Sequence, residues 1–210
     1  MNKIEIIQEY LPEIWFDVKD TKVSLLHPWH SRKEIYMADN GRQKIIIKFF
    51  KRYLRELFEQ EIEHRYWNEM PYAPKLLSYY TRLHHTKPNE RIQWNDFMFF
   101  VEEFINGKTL NELLDESINI YRDIYFIHKA IQVYHTVFDA TYKNNFILKN
   151  ANPNNIVFEG RNIKNPYIID WTAVKNTKWT SKEALFIEYT NMVQKNISNI
   201  IFKHLQQDKQ

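Results

Sequence analysis

Four clusters of side chains in this chain carry groups that could do chemistry. Lys48 ends the run Ile45-Ile46-Ile47-Lys48, which places a compact cation on a rigid strand. Acidic residues crowd the segment that follows, with Glu59, Glu61 and Glu63 among them. Two more carboxylates, Glu102 and Glu103, precede Phe104-Ile105-Asn106-Gly107-Lys108-Thr109-Leu110. The amide-rich loop Leu148-Lys149-Asn150-Ala151-Asn152-Pro153-Asn154-Asn155 is followed by Asp170, directly after Ile168-Ile169. Each has an ordinary reading when taken alone. A lysine beside β-branched residues is commonly an edge-strand solubility device. An aspartate after two isoleucines caps a strand end, and Asn-Pro-Asn-Asn makes a turn. His27 and His30, or His84 and His85, lack a carboxylate at matched spacing and read as loop histidines rather than metal ligands.

The elements that must position these groups follow from local pattern. Lys22 to Leu26, Lys33 to Met37 and Lys44 to Phe50 read as strands, and Asn40-Gly41 before the third is a hairpin signal. Leu54, Leu57, Phe58, Ile62, Tyr66, Trp67 and Met70 recur at helical spacing, and Pro71 and Pro74 end that helix. Lys75 to Tyr80 and Asp96 to Phe104 read as two further strands. Helices are expected over Thr109 to Leu114, Tyr121 to Tyr142 and Thr180 to about Leu205, with a hairpin formed by Ile156–Phe158 and Tyr167–Ile169. This order is an α+β arrangement of two lobes.

With 210 residues, one well-cored domain or two small lobes are possible. Balanced charge, 29 basic against 26 acidic side chains, argues against a nucleic-acid or anionic-membrane partner. The lysines and arginines from Lys48 to Arg55 are followed at once by glutamates, which suits a solvated helix face. No cysteine is present, so disulfides and thiolate chemistry are excluded. Charged residues break the N-terminal aliphatic run, and no segment approaches a membrane span, so a cytoplasmic protein is expected.

The joint order and spacing of the four clusters, over roughly residues 20 to 175, resemble the protein-kinase superfamily. The resemblance implies a two-lobed kinase-like fold: a small antiparallel β N-lobe with one helix over residues 1–104, then a hinge and a shortened, mainly helical C-lobe over 105–210. Lys48 is then similar to the family's third-strand lysine on the ATP phosphates. Its helix partner is Glu63, with Glu59 in reserve, because Tyr66, Trp67 and Met70 place Glu63 on the packed side. Glu102, Glu103 and Phe104 resemble the hinge whose backbone meets adenine, with Thr109 capping the next helix. Asn155 and Asp170 resemble the Mg²⁺-binding pair, whose oxygens suit a hard cation.

Three departures weaken the catalytic half of this pattern. His27-Pro28-Trp29-His30-Ser31 stands where a glycine-rich phosphate loop is expected, leaving His30, Ser31 or Arg32 to make that contact. Leu148 replaces the loop histidine, and Asn150 replaces the aspartate that accepts the substrate proton. The stretch after Asp170, about forty residues, is too short for a full kinase substrate-binding lobe, and in size the chain resembles the minimal RIO-like and KEOPS-associated kinases. The expectation is a nucleotide-binding pseudokinase or severely impaired kinase, with ATP and Mg²⁺ as ligands and a protein as a further partner. Two alternatives stay open: an active, unconventional phosphotransferase, and a kinase-shaped interaction module that binds no nucleotide.

Overall fold

A computed structural model describes the chain except for residues 1, 15, 18, 28–32, 52–53, 64, 66–69, 83–96, 117–119, 149–151, 161–165, 172–173, 177–180 and 208–210. The class is α+β as expected, with a five-stranded antiparallel sheet ahead of a mainly helical part. The chain forms two compact units, residues 1–63 with 75–104, and residues 64–74 with 105–210. Among the described residues no helix is long and apolar enough to cross a membrane.

The first unit is built on an antiparallel five-stranded sheet. Its strands are β1 (Lys22–His27), β2 (Lys33–Asp39), β3 (Lys44–Phe50), β4 (Leu76–Arg82) and β5 (Phe97–Glu103), in the order β1-β2-β3-β5-β4. The β2–β3 turn forms where Asn-Gly predicts it. Asn40 Oδ1 accepts from the Arg42 and Gln43 amides, and Gly41 takes φ +81°. Successive residues of a strand face opposite sides, and here both sides are covered. This explains why β3 and β5 read as unbroken apolar runs rather than alternating ones.

One face holds Tyr36, Ala38, Ile45, Ile47, Phe49, Phe97, Phe99 and Val101, packed by Ile6, Ile7 and Leu11. Ile6 and Ile7 come from α1 (Lys3–Tyr10), an element the sequence reading passed over. Its signal was present: Asn2 and Glu5 form a complete capping box. The other face carries Phe50, Met98 and Phe100 against Phe58 and Ile62 of α2 (Arg55–Ile62).

The second unit packs α3 (Leu110–Asp115), α4 (Ile120–Lys143) and α5 (Lys182–Gln207) around small β pieces. β6 (Gly107–Thr109), β8 (Ile156–Glu159) and β9 (Pro166–Ile168) form one antiparallel sheet. β7 (Phe146–Leu148) pairs with β10 (Val174–Asn176). Phe126, Ala130, Val133, Val137 and Phe138 make the apolar stripe of α4, and Leu185, Tyr189, Val193 and Ile197 that of α5. Thr109 caps α3 as expected, in a capping box with Glu112. Thr180, the expected start of α5, lies outside the described residues.

Candidate functional site

Asn155 and Asp170 are brought to one end of the β8–β9 hairpin by its register. Ile156 faces Ile168, and one step further the Ile169 amide donates to the Asn155 carbonyl at 2.9 Å. Asp170 is the next residue. On the other side of Asn155 the chain makes a tight 3-10 turn over Pro153–Asn155. Asn152 caps it, its side chain accepting from the Asn154 amide at 3.0 Å, while its carbonyl accepts from Asn155 N–H at 2.8 Å. The buried Tyr134 hydroxyl, from α4, donates to the same carbonyl at 2.9 Å. Burial raises the Tyr134 pKa far above the ordinary phenol value, so this hydroxyl keeps its proton.

The Asn155 amide nitrogen is buried and has no hydrogen-bond partner. Buried polar groups are nearly always paired, so an orphan of this kind asks for an explanation. Asn155 Oδ1 and the Asp170 carboxylate are oxygen donors of the kind Mg²⁺ prefers, and Mg²⁺ commonly takes only one or two protein ligands, filling its shell with water and phosphate; the orphaned nitrogen, itself a donor, would meet an oxygen acceptor such as phosphate. The residues therefore fit the ion. Among the described residues no cluster of three or more acidic or histidine side chains forms a metal site of its own.

Two neighbours of this turn are structural. Leu148 is fully buried in β7, where it stands opposite Val174. Trp171 is also buried, with its indole N–H donating to the Ile168 carbonyl at 2.7 Å. Gly107 permits the close approach of β6 to β8: a Cβ there would sit 2.1 Å from the Phe158 carbonyl oxygen.

In the first unit, Lys48 is 3% exposed and lies on the α2-facing side of the sheet. Its ammonium meets Glu102 Oε1 at 2.5 Å and lies 5.6 Å from the Phe100 ring centre. The expected helix partners sit elsewhere. Glu63 is exposed, just past the end of α2, and Glu59 is exposed and pairs with Arg55 at 2.6 Å. The carboxylate that α2 turns inward is Glu61, 2% exposed and 3.8 Å from Lys33 Nζ. Helical phase accounts for the difference. Among the described residues Leu54, Phe58, Glu61, Ile62 and Arg65 are buried, whereas the expected phase was taken partly from Met70, which packs in the core of the second unit.

Glu102 and Glu103 use their side chains in ways the sequence reading did not assign. Glu102 neutralises Lys48. Glu103 accepts from the Lys75 amide at 2.8 Å, and its own N–H donates to the Lys75 carbonyl at 3.0 Å. That N–H is thus committed to the start of β4. Phe104 lies under the Lys44 ammonium, 5.7 Å from the ring centre. Asn150, Trp29, His30, Ser31, Arg32, His84 and His85 lie outside the described residues, as do Tyr66 and Trp67. Sequence reasoning missed Lys33, Glu61 and Tyr134; a lysine opening a strand and a tyrosine within an apolar helix stripe were the available signals.

No protein-family model matches the chain, and no curated protein matches it. Among solved structures it is similar to vaccinia related kinase 3, with 16% identity and a TM-score of 0.47. That likeness covers 75% of this chain and 49% of the other, so the chain spans about half of that protein's length. It assigns no residue a role.

Proposed function

We propose that this chain is a kinase-like, nucleotide-binding protein in which phosphoryl transfer is lost or severely impaired. The observation that carries the reading is the register of the β8–β9 hairpin, whose Ile169–Asn155 hydrogen bond brings Asn155 to the residue preceding Asp170. Asn155 and Asp170 would hold Mg²⁺ through oxygen, and Lys48 would meet the phosphates of ATP. The metal, when bound, supplies positive charge that offsets the charge of the phosphates. The chain's own residues do the rest: the Tyr134 hydroxyl and the Asn152 carbonyl hold the turn that presents Asn155, and β3 holds Lys48.

The lost step is proton acceptance. An amide at position 150 takes no proton at neutral pH, and a general base typically contributes about 10²–10⁴ in rate, or roughly 3–5 kcal/mol of barrier. The product is a domain whose binding or scaffolding role is gated by nucleotide. Calorimetric titration with Mg·ATP tests this: saturable binding, weakened in Asn155→Ala and Lys48→Ala, is expected. No heat up to millimolar ATP in a folded sample would reject it.

One observation favours a second reading. Lys48 already holds a carboxylate, so its burial needs no phosphate. The chain would then be an interaction module that binds no nucleotide, and the same titration separates the two.

A further inference from the structure

The sheet face that carries Lys48 also carries its counter-ion, and strand register puts it there. Ile46 stands opposite Glu102 and Lys48 opposite Phe100. Lys48 and Glu102 are therefore diagonal neighbours on one face, where long side chains meet. Both are 3% exposed, and the contact is 2.5 Å. The second charged pair on this face is looser: Lys33, opposite Phe50, lies 3.8 Å from Glu61, beyond hydrogen-bond length. Glu61 arrives on a helix, but Glu102 is held by the ladder on both sides, with Ile46 on β3 and Leu76 on β4.

A carboxylate oxygen and a phosphate oxygen make the same demand on an ammonium, a short charge-assisted hydrogen bond. Glu102 already makes that bond. A phosphate arriving at Lys48 must share the ammonium with a negative charge or replace it, and in a buried setting that repulsion is poorly screened. We propose that Glu102 is a resident counter-ion that sets the affinity of Lys48 for phosphate-bearing ligands. It lets the sheet bury a lysine before any ligand arrives, at the expense of affinity once one does. A divalent cation on the phosphates offsets the Glu102 charge, so binding in its presence depends steeply on Mg²⁺. This inference rests on the nucleotide reading above and adds the residue that regulates it.

The test is calorimetry with ATP, with and without Mg²⁺, on the full chain and on Glu102→Gln, Lys48→Met and the double variant. Glu102→Gln should bind Mg·ATP about tenfold tighter or more, a shift well within what a buried charge produces. It should also lose part of the Mg²⁺ dependence, and Lys48→Met should cancel the gain. Binding by Glu102→Gln alone, with none by the natural chain, rejects the nucleotide reading of the natural chain and overturns the inference that rests on it. Equal or weaker binding by Glu102→Gln, where the natural chain binds, overturns the inference and leaves the nucleotide reading standing. No binding by either folded protein overturns both. Circular dichroism reports whether Glu102→Gln is folded. If it is not, Glu102→Asp keeps the charge and draws it back by one methylene: tighter Mg·ATP binding than the natural chain supports the inference, and equal or weaker binding overturns it.

Discussion

Lys48 in the first unit and Asn155 in the second are both held by backbone structure, yet their side chains end in opposite conditions. Lys48 is closed off by Glu102 at 2.5 Å, whereas the Asn155 amide nitrogen has no partner. The difference follows from charge. A buried ammonium without a counter-ion costs several kcal/mol, roughly 3–5 when one partner of a buried pair is removed. A buried amide group left unpaired costs only about 1–3 kcal/mol. A fold can therefore leave a neutral donor open for a ligand, but it must bring its own anion to a cation it buries.

Breaking the closed side should have the largest effect. Glu102→Ala should lower unfolding free energy by about 3–5 kcal/mol, read from urea denaturation. Lys48→Met with Glu102→Met should recover most of that loss, since an apolar replacement of a buried pair is often neutral. If the double variant is no more stable than Glu102→Ala, desolvation is not what makes the pair necessary.

The open side is sharpened through its support. Gly107→Ala pushes a Cβ onto the Phe158 carbonyl of β8, the strand that begins just after Asn155. Overpacking of this kind should cost about 1–3 kcal/mol in thermal or urea unfolding. Tyr134→Phe removes one of the two donors to the Asn152 carbonyl, and a loss of about 0.5–1.5 kcal/mol is expected. Mg²⁺-dependent ATP binding should weaken with it, which a purely packing role for Tyr134 would not produce.

The smallest effect on stability is expected at Asn155 itself. Asn155→Leu removes the orphaned amide, so unfolding free energy should stay level or rise by up to about 1 kcal/mol. ATP binding in the presence of Mg²⁺ should disappear in the same protein. A large loss of stability would mean that the amide is structural and the comparison with Lys48 is misplaced.

Much of the first unit was legible as strands because β-branched and aromatic runs with an Asn-Gly turn have few other local solutions. The segment Leu54 to Met70 was less legible. Its apolar residues serve two different cores, with Phe58 and Ile62 under the sheet and Met70 in the second unit, so one continuous helical period misplaced the inward carboxylate. The hinge phrase was read for its backbone, and nothing local announced that Glu102 would turn its side chain to Lys48.

The amino-acid sequence by itself determined the donor types at the candidate site: a lysine after three isoleucines, an asparagine and an aspartate beside one hairpin, and an amide at position 150. Those follow from residue identity and short-range pattern. Which carboxylate meets Lys48 was decided by the tertiary structure alone. The pairing depends on the register of β3 against β5, strands far apart in the chain, and a slip of one residue would turn Glu102 to the opposite face.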